Sequence, residues 1–408
     1  MSGEIILQKM AIRMKRSLLL LILCLQIIHT GAIAQSKGIM FHRLTEKKGL
    51  MYAPGQKKSF TGGVFANYRT KGRKLRGNYK NGLRHGIWTY WSEDGKKNRE
   101  ESYKQGKKDG NWTYFDENGR KERTETYLNG KPSGKLTYFY QKGNREKEEV
   151  YQKGVPHGKW TNWYESGKKE KEEFYRKDKK HGKWTYYNEK GRRESIISYK
   201  DDLKDGKSTY WYANGNKKER EENWQQDRKN GLWTWWNERG KKIKEGNYRN
   251  EQKYGIWAIY DNRGRKMEEN QWKDGELSGK SIQWNQKGNK IILKSFKADE
   301  KNGLWTWWSK SGRKQKEGNY KIGQKHGTWT FFYPNGKKKR VENYWNDKKH
   351  GKLTVWYETG QKERNESYRN DKKHGKWIYW YGNGKLEKEE EYKNGVQTGG
   401  KHYDYFGE

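Results

Sequence analysis

The chain is 408 residues long and has one cysteine and four prolines. It also has few of the branched aliphatic residues from which ordinary cores are built. Hydrophobic residues make up 30% of it and aromatic residues 15%, so half of the apolar content is Trp, Tyr and Phe. An ordinary α/β enzyme core needs runs of Val, Ile and Leu, and that class is excluded. Folding is not excluded, because each Trp or Tyr buries a large area. The scarcity of proline suits a continuous hydrogen-bonded ladder. The one cysteine, Cys24, sits inside the N-terminal apolar run, so the chain beyond it holds no thiol and needs no disulfide. No second apolar stretch reaches membrane-spanning length. What the chain has in excess is positive charge: 91 Lys and Arg against 51 Asp and Glu, a formal net charge of +40. Such a balance implies an anionic partner or surface.

The N-terminus reads as a targeting segment. Lys9, Arg13, Lys15 and Arg16 precede the apolar run Leu18 to Ile28, and Ala32-Ile33-Ala34 offers small residues at the spacing of a signal-peptidase site. A signal peptide over 1–34 is therefore expected, with translation starting at Met1, Met10 or Met14. Removing its four basic residues and one acidic residue leaves a net charge of +37, so the basic character belongs to the exported chain. The expected location is the periplasm, the cell surface or the medium.

After a lead-in over 35–62, residues 63–408 read as one repeated unit. Aligned on a single glycine, the units begin at Gly86, Gly110, Gly134 and onward to Gly399, with a divergent first copy at Gly63. Every step from Gly86 on is 24 residues except the 25 from Gly206 to Gly231, and a second glycine follows nine residues after the first, as Gly95 follows Gly86. A thin array with little interior fits both the composition and the period.

Each unit reads as a β-hairpin. Ile87-Trp88-Thr89-Tyr90-Trp91 is β-branched and aromatic, as a strand requires. Ser92 to Gly95 is a turn, and Asn-Gly stands there in other copies, such as Asn118-Gly119 and Asn335-Gly336. Lys96 to Tyr103 is a charged second strand. The next turn carries Gly106 or, in other copies, Asp178 or Asp347, residues that tolerate positive φ. With a loop of two or four residues, Trp88 and Tyr90 share a face with Tyr103, whereas a three-residue loop would flip the second strand. The opposite face then carries Thr89, the aromatic column of Trp91, Trp163, Trp211, Trp236, Trp308, Trp356 and Trp380, and the charged residues. The fold class expected is all-β: an elongated single-layer antiparallel β-meander of about 15 tandem 24-residue hairpins, about 4.8 Å per strand. The Gly279 unit, with Ser281 and Gln283 in place of Trp and Tyr, is expected to be the softest.

The motif Tyr-Lys-Asn-Gly-x-x-His-Gly-x-Trp-Thr-Tyr-Trp-x-x-x-Gly-Lys-Lys, seen with variations at Tyr79 to Lys97 and Tyr151 to Lys169, resembles the MORN repeat (membrane occupation and recognition nexus). It is closer to the bacterial MORN variant. The common form has a third glycine where this chain has Trp88 and Trp112. The resemblance covers about 63–408 and implies a linear sheet of hairpins used for scaffolding or membrane association, with no catalytic residues. Some bacterial proteins with the variant repeat carry an antitoxin label, so a toxin-neutralising role is one alternative. The aromatic hairpin repeats of cell-wall-binding proteins are a second point of likeness, although their units are shorter and centred on Gly-Trp.

Residues that carry chemistry elsewhere fit structural places here. His85, His157, His181, His326, His350 and His374 occupy one position before the repeat glycine, where other units have Asp109, Asn230, Asn302 or Ser133. That interchange marks a turn residue, and no cluster recurs that would hold a metal. Paired carboxylates such as Glu100-Glu101, Glu148-Glu149 and Glu172-Glu173 are expected to form a solvated face paired with lysines, since neighbours on a strand point to opposite faces and acid–base work needs both in one cleft. The expected function is an exported non-enzymatic scaffold without a cofactor. Its partners are anionic lipid or envelope surface and proteins, and glycan is a further candidate through the Trp91 column. Basic residues interleaved with aromatics also suit single-stranded nucleic acid, but export argues against it. The candidate charge comb is Lys107, Lys108, Lys179, Lys180, Lys348, Lys349, Lys372 and Lys373, along one edge in the inter-unit turns.

Overall fold

The computed structural model describes residues 38–405. The signal segment expected over 1–34 lies outside the described residues. Apart from one 3-10 turn at Phe41–Arg43, the regular structure is all strand. The chain divides into two units, Met1–Lys168 and Lys169–Glu408. In each, the long strands pair antiparallel with their neighbours in sequence, giving an open meander.

The Gly86 repeat shows the construction. Strand Leu83–Trp91 pairs with Lys97–Lys104, with Gly86 opposite Tyr103, Trp88 opposite Glu101 and Tyr90 opposite Arg99. Trp88, Tyr90 and Tyr103 share one face, as expected, but by another route. The loop has three residues: Ser92 N–H donates to the Lys96 carbonyl and Gly95 N–H to that of Ser92. Alone, that loop would turn the second strand over. A β-bulge at Asn98, between the Trp91–Lys97 and Tyr90–Arg99 pairs, adds one residue and restores the face. The same bulge recurs in the Gly134, Gly231 and Gly327 repeats. The extra residue of the Gly206 repeat is absorbed in the loop, where Tyr212 N–H reaches the Lys217 carbonyl and Gly206 still faces Trp224.

Successive hairpins are joined by two-residue turns with both residues left-handed, such as Gln105 (φ 52°) and Gly106 (φ 76°), the geometry that matches strand twist. Asp347 stands where Gly106 does, at φ 64°, and its carboxylate adds a bond that glycine lacks, accepting the Lys325 N–H of the preceding repeat at 2.8 Å. Beyond this turn lies a second bulge. Asn319 pairs with His326 and Gly318 with Trp329, so Gly327 and Thr328 are two extra residues on one strand. Gly327 takes φ 72°, which a side chain would strain. Two extra residues leave the alternation of faces unchanged.

The tryptophan closes this second bulge. Trp329 Nε1 donates to the carbonyl of Asn319 at 3.2 Å, and eight other repeats make the same bond, for example Trp112 to Ser102 at 2.9 Å and Trp377 to Ser367 at 3.0 Å. The rings are buried, Trp88 at 0% and Trp329 at 2% exposure. Trp329 lies flat on the backbone of Gly318, where an added Cβ would sit 2.1 Å from the ring.

The two ends of the array differ from its middle. Gly62, not Gly63, lies opposite Tyr79, so the first step is also 24 residues, and Val64 takes the place of the tryptophan. Lys71, at φ 69°, occupies the loop position that is glycine elsewhere. Ile39–Met40 pairs parallel with Val64–Phe65, and Phe41 stands edge-on to Trp88 at 6.2 Å, so the lead-in covers the first tryptophan. At the other end, Gly400 lies opposite Glu390 where earlier repeats place Trp or its substitute. Both ends are divergent copies, as the sequence pattern implies.

The bulge closure sets a measurable order of effects. Replacing Trp329→Phe keeps most of the buried area and removes one hydrogen bond, so urea unfolding followed by circular dichroism should show a loss of about 1 kcal/mol. Trp329→Ala should cost about 3–5 kcal/mol. Gly318→Ala should destabilise although alanine is the better-ordered residue, because the ring occupies its Cβ position. A neutral Gly318→Ala would contradict this packing.

Candidate binding surfaces

The tryptophan face contains a charged layer that the sequence pattern concealed. Glu101 lies opposite Trp88 and is 6% exposed; Glu149, Glu173, Glu342 and Glu366 occupy the same place and are equally buried. The expectation of a solvated carboxylate pair therefore holds for Glu100 and fails for Glu101. A buried carboxylate must be paired and hydrogen-bonded. Glu101 accepts from the Tyr103 hydroxyl at 2.9 Å and lies 2.9 Å from Arg99 Nε and 3.6 Å from Arg84. Glu125 has Tyr127 at 2.8 Å and Arg123 at 2.9 Å, and Glu366 has Tyr368 and Arg364 both at 2.7 Å. Two of these arginines in turn cover an aromatic ring, Arg99 over Tyr90 at 4.1 Å and Arg123 over Tyr114 at 4.1 Å, whereas Arg364 lies opposite Val355. Burial, and then the Glu101 charge, push the Tyr103 hydroxyl up to about 12. Tyr344, beside Glu342, is likewise raised to about 12, with burial the leading cause.

The opposite face is milder. Glu100 pairs with Lys97 at 2.6 Å and Glu172 with Lys169 at 2.6 Å along one strand, and Glu148 with Lys135 at 3.0 Å and Glu221 with Lys207 at 3.1 Å across strands. Trp91, Trp163, Trp211, Trp236, Trp308, Trp356 and Trp380 do share this face and are all half-buried. Several carry a cation from the preceding repeat, Arg145 over Trp163 at 5.8 Å and Lys362 over Trp380 at 5.9 Å. They do not form a bare aromatic column.

The lysine comb separates into two rows. The dyads lie in short strands just after the inter-unit turn, so neighbours point to opposite faces. Lys107, Lys179, Lys348 and Lys372 are exposed on the threonine side. Lys108, Lys180 and Lys373 turn to the tryptophan face, at 4.0 Å, 4.7 Å and 4.1 Å from the rings of Trp112, Trp184 and Trp377, and Lys349 lies 5.0 Å from Tyr368. Three of these four face like charge, Lys107 opposite Lys104, Lys179 opposite Arg176 and Lys372 opposite Arg369, while Lys348 lies opposite Trp345.

The histidine position belongs to the second bulge. His181 N–H donates to the Phe174 carbonyl, as Asp109 N–H does to that of Ser102. Side chains there serve the next turn: Asp109 accepts the Asn129 N–H at 3.1 Å, Thr61 accepts that of Asn81 at 2.8 Å, and His374 Nδ1 that of Asn394 at 3.5 Å. Aspartate, threonine and His374 share that task, whereas the buried Nδ1 atoms of His85, His181 and His326 make no hydrogen bond among the described residues.

Seven segments match the MORN repeat variant: residues 84–105, 108–129, 156–177, 180–201, 229–250, 325–346 and 373–394. The chain thus carries seven MORN variant repeats, distributed between residues 84 and 394. No curated protein matches it. Among solved structures it is similar to the TcdB2–TccC3 toxin complex, with 12% identity, 84% of this chain and 22% of that chain covered, and a TM-score of 0.17. It is similar also to the Photorhabdus luminescens Tc holotoxin pore, with 12% identity, 84% of this chain and 21% of that chain covered, and a TM-score of 0.17. The chain spans about a fifth of the length of these structures. Likeness at that level carries no argument about fold or function.

Two outcomes follow from this geometry. The unfolded tyrosine titrates near its ordinary value of about 10, and the folded hydroxyls of Tyr103 and Tyr344 titrate near 12. Their contribution to stability is therefore complete below pH 10 and is lost as pH rises toward 12. Tyrosinate absorbance should show a late-titrating fraction that vanishes on unfolding; a single transition near pH 10 in the folded protein would refute the buried Tyr–Glu pairs. Replacing His181, His350 and His374 together by Asn should leave the fold and any binding intact, since Asn230 and Asn302 hold that position naturally. Loss of binding with an unchanged circular dichroism spectrum would show a site at these histidines.

Proposed function

We infer that this protein is an exported, non-enzymatic repeat scaffold that docks on anionic membrane or envelope surface and on proteins through its exposed basic row. The observation that carries this reading is the set of like-charge pairs across the turns: Lys104 with Lys107, Arg176 with Lys179, and Arg369 with Lys372. Opposed like charges destabilise a ladder, and a nearby anionic surface removes that cost. The row is basic in six of the inter-unit turns, at Lys107, Lys131, Lys179, Arg228, Lys348 and Lys372, so attraction accumulates with the number of such turns. Each Lys or Arg near an acidic bilayer contributes on the order of 1 kcal/mol, enough in sum without a pocket. An array built of hairpins throughout the described residues, and the match to MORN variant repeats, support the scaffold part of the reading.

Co-sedimentation with vesicles of acidic and of neutral lipid tests it. Binding to acidic vesicles should fall steeply between low and physiological salt, where charges are screened over about 8 Å. Chains ending after Gly231 and Gly303 should bind alike, because Gln252, Glu276 and Glu300 add no cation to the row, and the chain ending after Gly375, which adds Lys348 and Lys372, should bind better. Equal binding to both vesicle types, or loss confined to one repeat, would reject distributed electrostatic docking.

A further inference from the structure

The pairing rule of the tryptophan face is broken over one stretch of the second unit. Elsewhere the carboxylate pairs with the cation two residues before it, as Glu222 does with Arg220 at 2.8 Å and Glu366 with Arg364 at 2.7 Å. It also lends negative charge to lysines that follow the turns, such as Lys108 and Lys180, which themselves make no ion pair among the described residues. Between residues 229 and 325 the carboxylate position holds Gly246, Asn270, Lys294 and Gly318. The cations remain. Lys244 and Lys316 lie 5.0 Å and 4.4 Å from the rings of Trp235 and Trp307. Lys229, Lys253, Lys301 and Lys325 lie 4.9–5.3 Å from Trp233, Trp257, Trp305 and Trp329, and Lys294 is 5.6 Å from Trp305. None of these seven lysines has an ion-pair partner among the described residues. One carboxylate, Glu268, lies among them, and it is taken by Asn270 Nδ2 at 2.6 Å. Burial and the neighbouring Lys244 both lower the Lys253 ammonium, as an unbalanced positive field requires.

We propose that the tryptophan face of residues 229–325 is a binding track for a linear acidic polysaccharide, with the seven lysines holding its carboxylate or sulfate groups. This site lies on the face opposite the exposed row used for surface docking and is independent of that reading. Three features select the occupant. Successive hairpins lie about 10 Å apart, from two strands at about 4.8 Å each, and a disaccharide of an extended glycan covers a similar distance. Each hairpin of the stretch brings at least one lysine, with Lys294 standing in where Leu277 interrupts the row Lys229, Lys253, Lys301 and Lys325. A single-stranded nucleic acid carries a charge at every nucleotide, at a shorter interval. It also needs open ring faces on which bases stack, whereas Trp233, Trp257, Trp305 and Trp329 are 2–7% exposed. The half-buried Trp235 and Trp307 leave partial ring surface beside Lys244 and Lys316, suited to the apolar face of a pyranose.

The test uses the full chain, with polygalacturonate as the probe and dextran and oligo-dT as comparators, read by intrinsic tryptophan fluorescence and by sedimentation. Polygalacturonate should bind and perturb the fluorescence, and dextran should not. Lys244→Gln with Lys253→Gln and Lys316→Gln should weaken binding about tenfold or more. Asn270→Glu with Lys294→Glu restores the carboxylate that other repeats carry, so it suits the fold, and it should weaken binding to a similar extent. Lys179→Gln with Lys348→Gln and Lys372→Gln, on the other face, should leave polygalacturonate binding unchanged and reduce binding to acidic vesicles. Failure of vesicle binding alone would reject only the docking reading. The track is overturned if polygalacturonate does not bind, if the Asn270→Glu, Lys294→Glu chain is folded by circular dichroism and binds undiminished, or if oligo-dT binds at least as tightly.

Discussion

One hydrogen bond recurs through the array and makes the rest possible: the indole N–H of the repeat tryptophan to a carbonyl ten residues earlier. At each junction the strand carries two residues more than its partner, and the ladder there is interrupted. The indole spans the gap, satisfies an acceptor that would otherwise face the interior, and sets its ring on the neighbouring backbone. The glycine with positive φ, the tryptophan two residues later and the small or carboxylate residue facing it are therefore one unit of construction. This accounts for the Gly-x-Trp element of the repeat without reference to any ligand.

The thin sheet solves a second problem on the same face. A single layer has no opposing sheet to cover its aromatic rings, so the cover comes from long side chains. Arginine and lysine stems lie over the rings with their charged heads toward water. The buried glutamate and the tyrosine hydroxyl fix the arginine in place. Aromatic burial, cation–π contact and ion pairing are thus parts of one layer. Where the glutamate is missing, between residues 229 and 325, tryptophans of successive repeats come into ring contact, Trp235 with Trp257 at 6.1 Å and Trp307 with Trp329 at 5.8 Å, and the cationic cover is left uncompensated.

The strand pattern, the period and the face of each aromatic residue were legible because side-chain alternation and turn residues are local signals. The loop length was not. Ser92 to Gly95 fits loops of three or four residues equally well, and the bulge at Asn98 that corrects the parity has no residue signature of its own. The start of the first repeat was misplaced by one residue for a similar reason: Gly62 and Gly63 are adjacent, and only the pairing of Val64 with Gly77 distinguishes them. The burial of Glu101 was hidden because a charged strand reads as solvated. The signal that could have shown it is the alternation Arg99, Glu101, Tyr103, three groups able to satisfy one another on one face. The same alternation divides each lysine dyad between two surfaces.

Strands that pair only with their neighbours in sequence have a mechanical consequence. Tension applied to the ends of either unit would act on its outermost strand first, and hydrogen bonds in that strand would break one after another rather than together. The resistance at each step is that of a single hairpin and its indole clasp. Each clasp that opens would release about 24 residues of slack, roughly 80 Å when extended. A sheet of this kind lengthens under load in equal steps and re-forms from its intact end.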